Sequence, residues 1–262
     1  MQQTEGPPPP TPSPQGGGGL TSRDVAFVRS LIIYEDAHLL AFDKPAGLAV
    51  QGGSGVTQSL ELLLGAFAKS NGKRPRLVHR LDRETSGVIL AARTKPAAAF
   101  LSQAFAERRV AKTYLAIVCG GAPRPEDGEI ALALKKINRG GIDLMEAGAG
   151  QDALTRYRTL EATAQAALVE IKPETGRMHQ IRAHLAAIGR PIAGDGKYGG
   201  LFSIGGVATN SLMLHAASLT FPHPAGGERT LEAPPPPAFI ACAAALGLRA
   251  PGLETGVDAA QT

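Results

Sequence analysis

Two cysteines in 262 residues, Cys119 and Cys242, are too few and too far apart for a disulfide framework or a zinc cluster. Such sparing use suits a reducing compartment. The opening stretch MQQTEGPPPPTPSPQGGGG has no basic start followed by an apolar core, so it does not read as a secretory signal. Its proline and glycine mark residues 1–20 as a disordered tail, and residues 251–262 read as a flexible C-terminus. The longest helical apolar run, AFIACAAALGL at 238–248, falls short of the roughly 20 residues that span a bilayer. The expectation is a cytoplasmic protein with no membrane part.

Nucleotide, metal and hydrolase motifs are missing too. GGSGVTQS at 52–59 is glycine-rich, but no Gly-Lys-Ser/Thr follows to cradle a phosphate. GDGKYGG at 194–200 places Tyr198 where the hydroxyl ligand of a bound metal would be needed. His179 and His184 are five apart on a predicted helix, hence on different faces, with no Glu between them. No metal is expected. VHRLD lacks the spacing and companion motifs of a kinase catalytic loop, and TSGV lacks the glycine of a nucleophile elbow.

What is present is a core-forming apolar fraction of 44% and a net charge of +4, in a chain long enough for one domain over residues 21–250. The charge is unevenly spread. Between Lys73 and Lys112 ten Lys or Arg face three acids, a local excess of seven. That balance permits a polyanionic partner.

Hydrophobic patterning predicts strands at 31–34, 39–43, 88–92, 112–120, 128–134 and 166–173, and a terminal hairpin from 212–221 and 228–233. Helices are predicted from Ser59, over 95–109 and over 175–189. Residues 139–150 are glycine-rich and read as a loop. The irregular order and frequent hairpins indicate an α+β domain on a mixed, largely antiparallel sheet flanked by helices.

Three segments carry candidate chemistry. RLVHRLDRETSG at 76–87 sets Asp82 between Arg80 and Arg83, just before the apolar strand. Thr85, Ser86 and Gly87 suit a tight turn that would hold the carboxylate rigidly. A nearby arginine would keep it ionised. In GRMHQIRAHL, Ile181, Leu185 and Ile188 form the expected buried stripe, Arg182 lies at its border, and Arg177 sits in the first turn, where phosphate oxygens are favoured. In AKTYLAIV, Tyr114 offers a ring on which a base can stack and a hydroxyl that can move a proton.

LVHRLDRETSGVILAART resembles the signature of the RluA-type pseudouridine synthases. EDAHLLAFDKPAGLAV is similar to that family's first motif, AKTYLAIVCG to its tyrosine strand, ETGRMHQIRAHLAAIGRPIAGDGKYGG to its third motif and LMLHAASLTFPHP to its C-terminal hairpin. The match runs in order from about residue 30 to about 240. His79, where a sister family has Gly, favours the RluA type. Gln51–Gly52 departs from the usual His after the first motif. Many relatives also carry a small N-terminal RNA-binding domain; residues 1–20 read as a tail, so RNA contacts are expected to come from the catalytic domain itself.

The resemblance implies the pseudouridine synthase fold and an isomerase acting on uridine in ribosomal or transfer RNA without a cofactor; a monomer is expected. It implies Asp82, Tyr114 and Arg182 as catalytic residues, with Arg182 paired to Asp82. Arg80 is the candidate for occupying the space of a flipped base. His79, Thr85, His179 and Gln180 join Lys44 and Arg177 as RNA-binding candidates. Two rivals are a catalytically silent RNA-binding module and a nucleoside glycosidase. The glycosidase needs a second carboxylate near Asp82, for which Glu84 is the only near candidate.

Overall fold

The computed structural model describes residues 19–53 and 56–249. Most of the predicted tail, and the predicted C-terminal segment 251–262, lie outside the described residues.

The chain begins with helix α1 (Ser22–Ser30) and strands β1 (Ile32–Glu35) and β2 (Leu39–Lys44). Helix α2 (Leu60–Leu63) runs into a tighter turn at Leu64–Phe67, followed by β3 (Arg76–Leu77), β4 (Ser86–Ala92) and α3 (Lys95–Ala106). Strands β5 (Ala111–Cys119), β6 (Asp127–Ile130), β7 (Leu134–Arg139), β8 (Ile142–Ala147), β9 (Thr155–Ala162) and β10 (Ala166–Pro173) lead to α4 (Gln180–Ala187). The short pair β11 (Ser203–Ile204) and β12 (Val207–Ala208) precedes β13 (Leu214–Pro222), β14 (Glu228–Glu232) and α5 (Pro237–Ala245).

Helix starts follow capping chemistry. Thr21 and Asp24 form a reciprocal capping box on α1, Ser59 caps α2, and Thr94 caps α3 with Pro96 in its first turn.

Ten strands make one sheet, ordered β1-β2-β4-β13-β5-β10-β9-β6, with β14 added to β13 and β3 to β4. Its pairings are antiparallel except β4 with β13, which meet in parallel at Ser86 and Gly87. The fold is therefore α+β on a mixed, mostly antiparallel sheet. All seven residues of β4 are buried, which is why its sequence is a continuous apolar run and does not alternate. Its side chains divide by period two. Ile89 and Ala91 pack with Leu40 and Phe42 under α1 and α2, while Val88 and Leu90 pack with Leu39 and Ala41 under α3. A third cluster joins β5 and β10 to α4 and α5.

The parallel seam is tight. Gly87 has φ +109, and a Cβ there would lie 2.1 Å from the Ala216 carbonyl oxygen, so no side chain fits. Beside it His215 donates from Nε2 to Ala233 O (2.9 Å), leaving Nδ1 to accept from the Ser86 hydroxyl at 2.9 Å. The seam fixes the start of β4, and with it the loop that carries Asp82.

Several sequence expectations are corrected. Residues 139–150 are not a loop: β7 and β8 form a hairpin whose Gly140 and Gly141 both have positive φ, the conformation a two-residue type I′ turn requires. The strand expected at 128–134 ends at Ile130. Helix α1 and strand β9 have no counterpart among the predicted elements. The helix expected over 175–189 begins only at Gln180, because His179 is left-handed (φ 48). Ile188, placed on the buried stripe by periodicity, is 36% exposed.

Candidate active site

The loop between β3 and β4 is pinned at both ends. At its start the His79 ring is stacked on Phe105 (centroids 4.4 Å apart), and its Nε2 accepts from Leu90 N at 3.0 Å. Burial, reinforced by the Lys112 charge, pushes this imidazole down to about 3, so it is a neutral acceptor. At its far end the loop is tied to the turn after β2. Arg83 Nε donates to Gly47 O (3.0 Å), Gly47 N donates to Arg83 O (2.9 Å), and Thr85 N closes back on Asp82 O at 3.1 Å.

Lys44 completes the clamp. Its side chain is fully buried, and Nζ donates to Pro45 O, Leu48 O and Arg83 O at 2.9, 2.9 and 3.0 Å. Burial pushes its pKa down to about 7 against the pull of nearby carboxylates. Three carbonyls use all its donors, so Lys44 braces the loop and does not face phosphate.

Asp82 emerges from this frame about a quarter exposed. Its Oδ2 accepts from Arg182 Nη1 at 3.1 Å and lies 3.8 Å from His179 Nε2. Arg182, on the first turn of α4, is almost wholly buried. Its principal partner is Asp195, also buried, which accepts from Nε and Nη2 at 2.8 Å each. The guanidinium also lies over the Tyr198 ring, 5.2 Å from the centroid. Burial works against the Arg182 charge, but the two carboxylates outweigh it and raise its pKa above the ordinary value. The result is a guanidinium fixed as a bridge, one edge on Asp195 and the remaining nitrogen on Asp82.

Tyr198 ties a second group to the cluster. Its hydroxyl accepts from Met145 N at 2.8 Å and lies 3.0 Å from His179 Nδ1. Burial lowers the His179 pKa, Asp82 opposing and Arg182 assisting. Tyr114, half-buried on β5, has its phenol pushed well above its ordinary value by burial and by the Asp82 charge, and so stays protonated.

Asp82, Arg182, Tyr114 and His179 thus form one cluster, with Arg80 exposed on the same loop. Other sequence candidates stand elsewhere. Thr85 is buried and turned from solvent. Gln180 is buried with all four hydrogen-bonding positions taken: Oε1 accepts from Thr175 Oγ1 and Arg177 N, and Nε2 donates to Leu154 O and Thr155 Oγ1. Neither presents a group to RNA. Arg177 lies before the helix, not in its first turn, and its Nε donates to Asp152 O at 3.3 Å. Glu84 pairs at the surface with Arg83 (3.5 Å), and Asp195, the carboxylate across Arg182, has both oxygens engaged. Neither is placed as a glycosidase partner for Asp82.

Sequence reasoning missed Asp195 and Tyr198. A signal existed: a buried arginine requires a counter-charge, and GDGKYGG follows α4 closely.

Comparison with known proteins places the chain in a family. A family model described as RNA pseudouridylate synthase matches residues 38–187. The Escherichia coli K12 ribosomal large subunit pseudouridine synthase C is 40% identical over 217 residues, covering 80% of this chain and 68% of that protein. The Zymomonas mobilis ribosomal large subunit pseudouridine synthase D is 36% identical over 210 residues, covering 76% and 66%. Among solved structures, human RNA pseudouridylate synthase domain containing 4 superposes with a TM-score of 0.74 at 29% identity, over 87% of this chain and 98% of that one.

Proposed function

The chain belongs to the RNA pseudouridylate synthase family, and on that premise we propose that it isomerises uridine in large-subunit ribosomal RNA, with Asp82 as its catalytic carboxylate. It is an isomerase of RNA uridine. The finer target is suggested by the names of its relatives, which refer to the large ribosomal subunit. We take it to act as a single chain in the cytoplasm; no helix among the described residues is long and apolar enough to cross a membrane.

The observation that carries the mechanistic reading is the 3.1 Å approach of Arg182 to one oxygen of a partly exposed Asp82. Isomerisation breaks the bond from ribose C1′ to uracil N1, turns the base, and joins C1′ to C5; C5 loses its proton and N1 gains one. A carboxylate can open this sequence by attacking C1′ or by removing a ribose proton. Both routes need it held still against the ribose, and the Arg182 bridge supplies that.

The target nucleotide must leave its stack, at a cost of a few kcal/mol. Arg80, exposed two residues from Asp82, is suited to fill the vacated space. Tyr114 supplies a neutral ring against the uracil. Burial, with the Asp82 charge adding to it, keeps the phenol protonated in the free enzyme.

The test is pseudouridine mapping of large-subunit ribosomal RNA from cells with the gene, without it, and carrying Asp82→Ala. The expected result is a site lost in both altered strains. Persistence of that site with Asp82→Ala would remove Asp82 from the mechanism, and an unchanged map in the deletion would overturn the ribosomal target.

A further inference from the structure

Away from Asp82, β3, the end of β4 and the start of α3 enclose a groove of ≈ 830 Å³. Its lining carries six cations, Lys69, Lys73, Arg74, Arg76, Arg93 and Lys95, against one carboxylate, Glu61. Arg93 is paired with Glu35. The other five have no carboxylate within ion-pairing distance among the described residues. The cations of β9 and β10 offer a contrast. On β9 and β10, Arg156 pairs with Glu129 and Glu174, and Arg158 and Lys172 both pair with Glu170. A concave surface lined by unneutralised charge of one sign focuses a field that neutralised faces lack.

The groove is connected to the catalytic loop. Arg76 and Leu77 pair with Ala92 and Ala91 at the far end of β4, while Asp82 stands before its first residue. The intervening strand sets the separation at on the order of 20 Å, about six steps of about 3.3 Å. The segment 78–82 runs back along β4, held midway by the hydrogen bond from Leu90 to His79. Exposed Arg80 lies on that path, so one stretch of chain links the groove to the site with cations along it.

We infer that this groove is a second RNA-backbone site, holding phosphates of the segment flanking the target uridine while that uridine sits at Asp82. This rests on the reading of the chain as an RNA-modifying enzyme and adds where the flanking RNA lies. The preferred ligand is a polyanionic backbone, not a base: the lining offers many cations, and no aromatic ring on which to stack.

The experiment compares the full chain with a Lys73→Gln/Arg74→Gln/Arg76→Gln variant and with Lys172→Gln, whose ammonium is already paired with Glu170. Two probes are used: an unmodified in vitro transcript of the large-subunit ribosomal RNA, and a hairpin of the target loop too short to reach the groove. For the triple variant, the slope of log affinity against log salt on the long transcript should flatten by roughly 0.7–0.9 for each phosphate no longer neutralised. KM on the transcript should rise several-fold, and far less on the hairpin, with kcat little changed. Lys172→Gln should move none of these.

An unchanged salt slope on the transcript overturns the proposal and leaves an acidic protein surface as the groove's occupant. Equal losses on both probes also overturn it, since a distal site cannot act on an RNA that does not reach it. Failure of the wild-type chain to form pseudouridine in either probe would overturn the substrate reading instead; the binding slopes would still decide the groove.

Discussion

Arg182 and Arg76 are the same residue type in opposite circumstances. Arg182 is 5% exposed, shared between Asp195 and Asp82, and stacked on Tyr198. Arg76 is exposed on a two-residue strand, with no carboxylate beside it among the described residues. Removing a guanidinium from water is costly, and ion pairing offsets that cost only in good geometry, so the buried arginine has a fixed direction. The exposed one keeps its hydration and contributes field without position. One arrangement aims a carboxylate, and the other attracts a polyanion.

The largest effect should come from breaking the first arrangement at its hidden side. Asp195→Asn leaves the Arg182 charge buried with only Asp82 as an ionic partner, and should cost about 3–5 kcal/mol in urea unfolding at neutral pH. Activity should fall with it as the guanidinium loses its direction. Asp82 is a quarter exposed and joined by a single hydrogen bond, so Asp82→Asn should reduce turnover by a factor on the order of 10³ or more with far less loss of stability. If both variants lose stability equally, Arg182 is not anchored from the Asp195 side.

A second effect tests a half-buried basic group that has no carboxylate partner among the described residues. The folded-state value of His79, about 3, lies below the ordinary 6.5. Between those values the unfolded chain binds a proton that the folded chain refuses, so stability falls as pH falls from about 6.5. The loss is up to about 1.4 kcal/mol per pH unit, or about 2 kcal/mol between pH 7 and 5. His179, His184 and His215 are also lowered by burial and act in the same direction. His79→Gln should therefore flatten the acid limb by its own share. An unaltered slope would mean that His79 is open to protonation in the fold.

The two arginines also differ in how far their surroundings can be read from the chain alone. The pairing of Asp82 with Arg182 was legible only through the family resemblance, since the two stand 100 residues apart in separate motifs. Lys44 in the first motif, and His79, Thr85 and Gln180 in the motifs of Asp82 and Arg182, read equally well as RNA contacts. Their enclosure is decided by the Gly47–Arg83 clamp, the Phe105 ring and the Thr175 and Leu154 partners, which the motifs do not specify. GDGKYGG reads in sequence as a failed phosphate loop, yet it supplies Asp195 and Tyr198. Its role depends on a charge 13 residues upstream, reached only once α4 has folded. The β7–β8 hairpin was obscured by its own turn, since Gly140 and Gly141 resemble loop composition while adopting the left-handed angles that a tight hairpin needs.

The smallest expected effect on stability falls at Arg76, and there the two kinds of charge separate. Arg76→Gln removes a hydrated cation with no ion-pair partner among the described residues, so unfolding free energy should stay within about 0.5 kcal/mol of the parent. RNA binding should still respond, through a salt slope reduced by roughly 0.7–0.9 for one phosphate. These two readings are independent because the guanidinium interacts with solvent in the free protein and with phosphate in the complex. A large stability loss with an unchanged slope would reverse the assignment and make Arg76 a structural residue of the β3–β4 pairing. A reduced slope on an unaltered fold would show that the groove contributes field and the Asp82–Arg182–Asp195 bridge contributes aim.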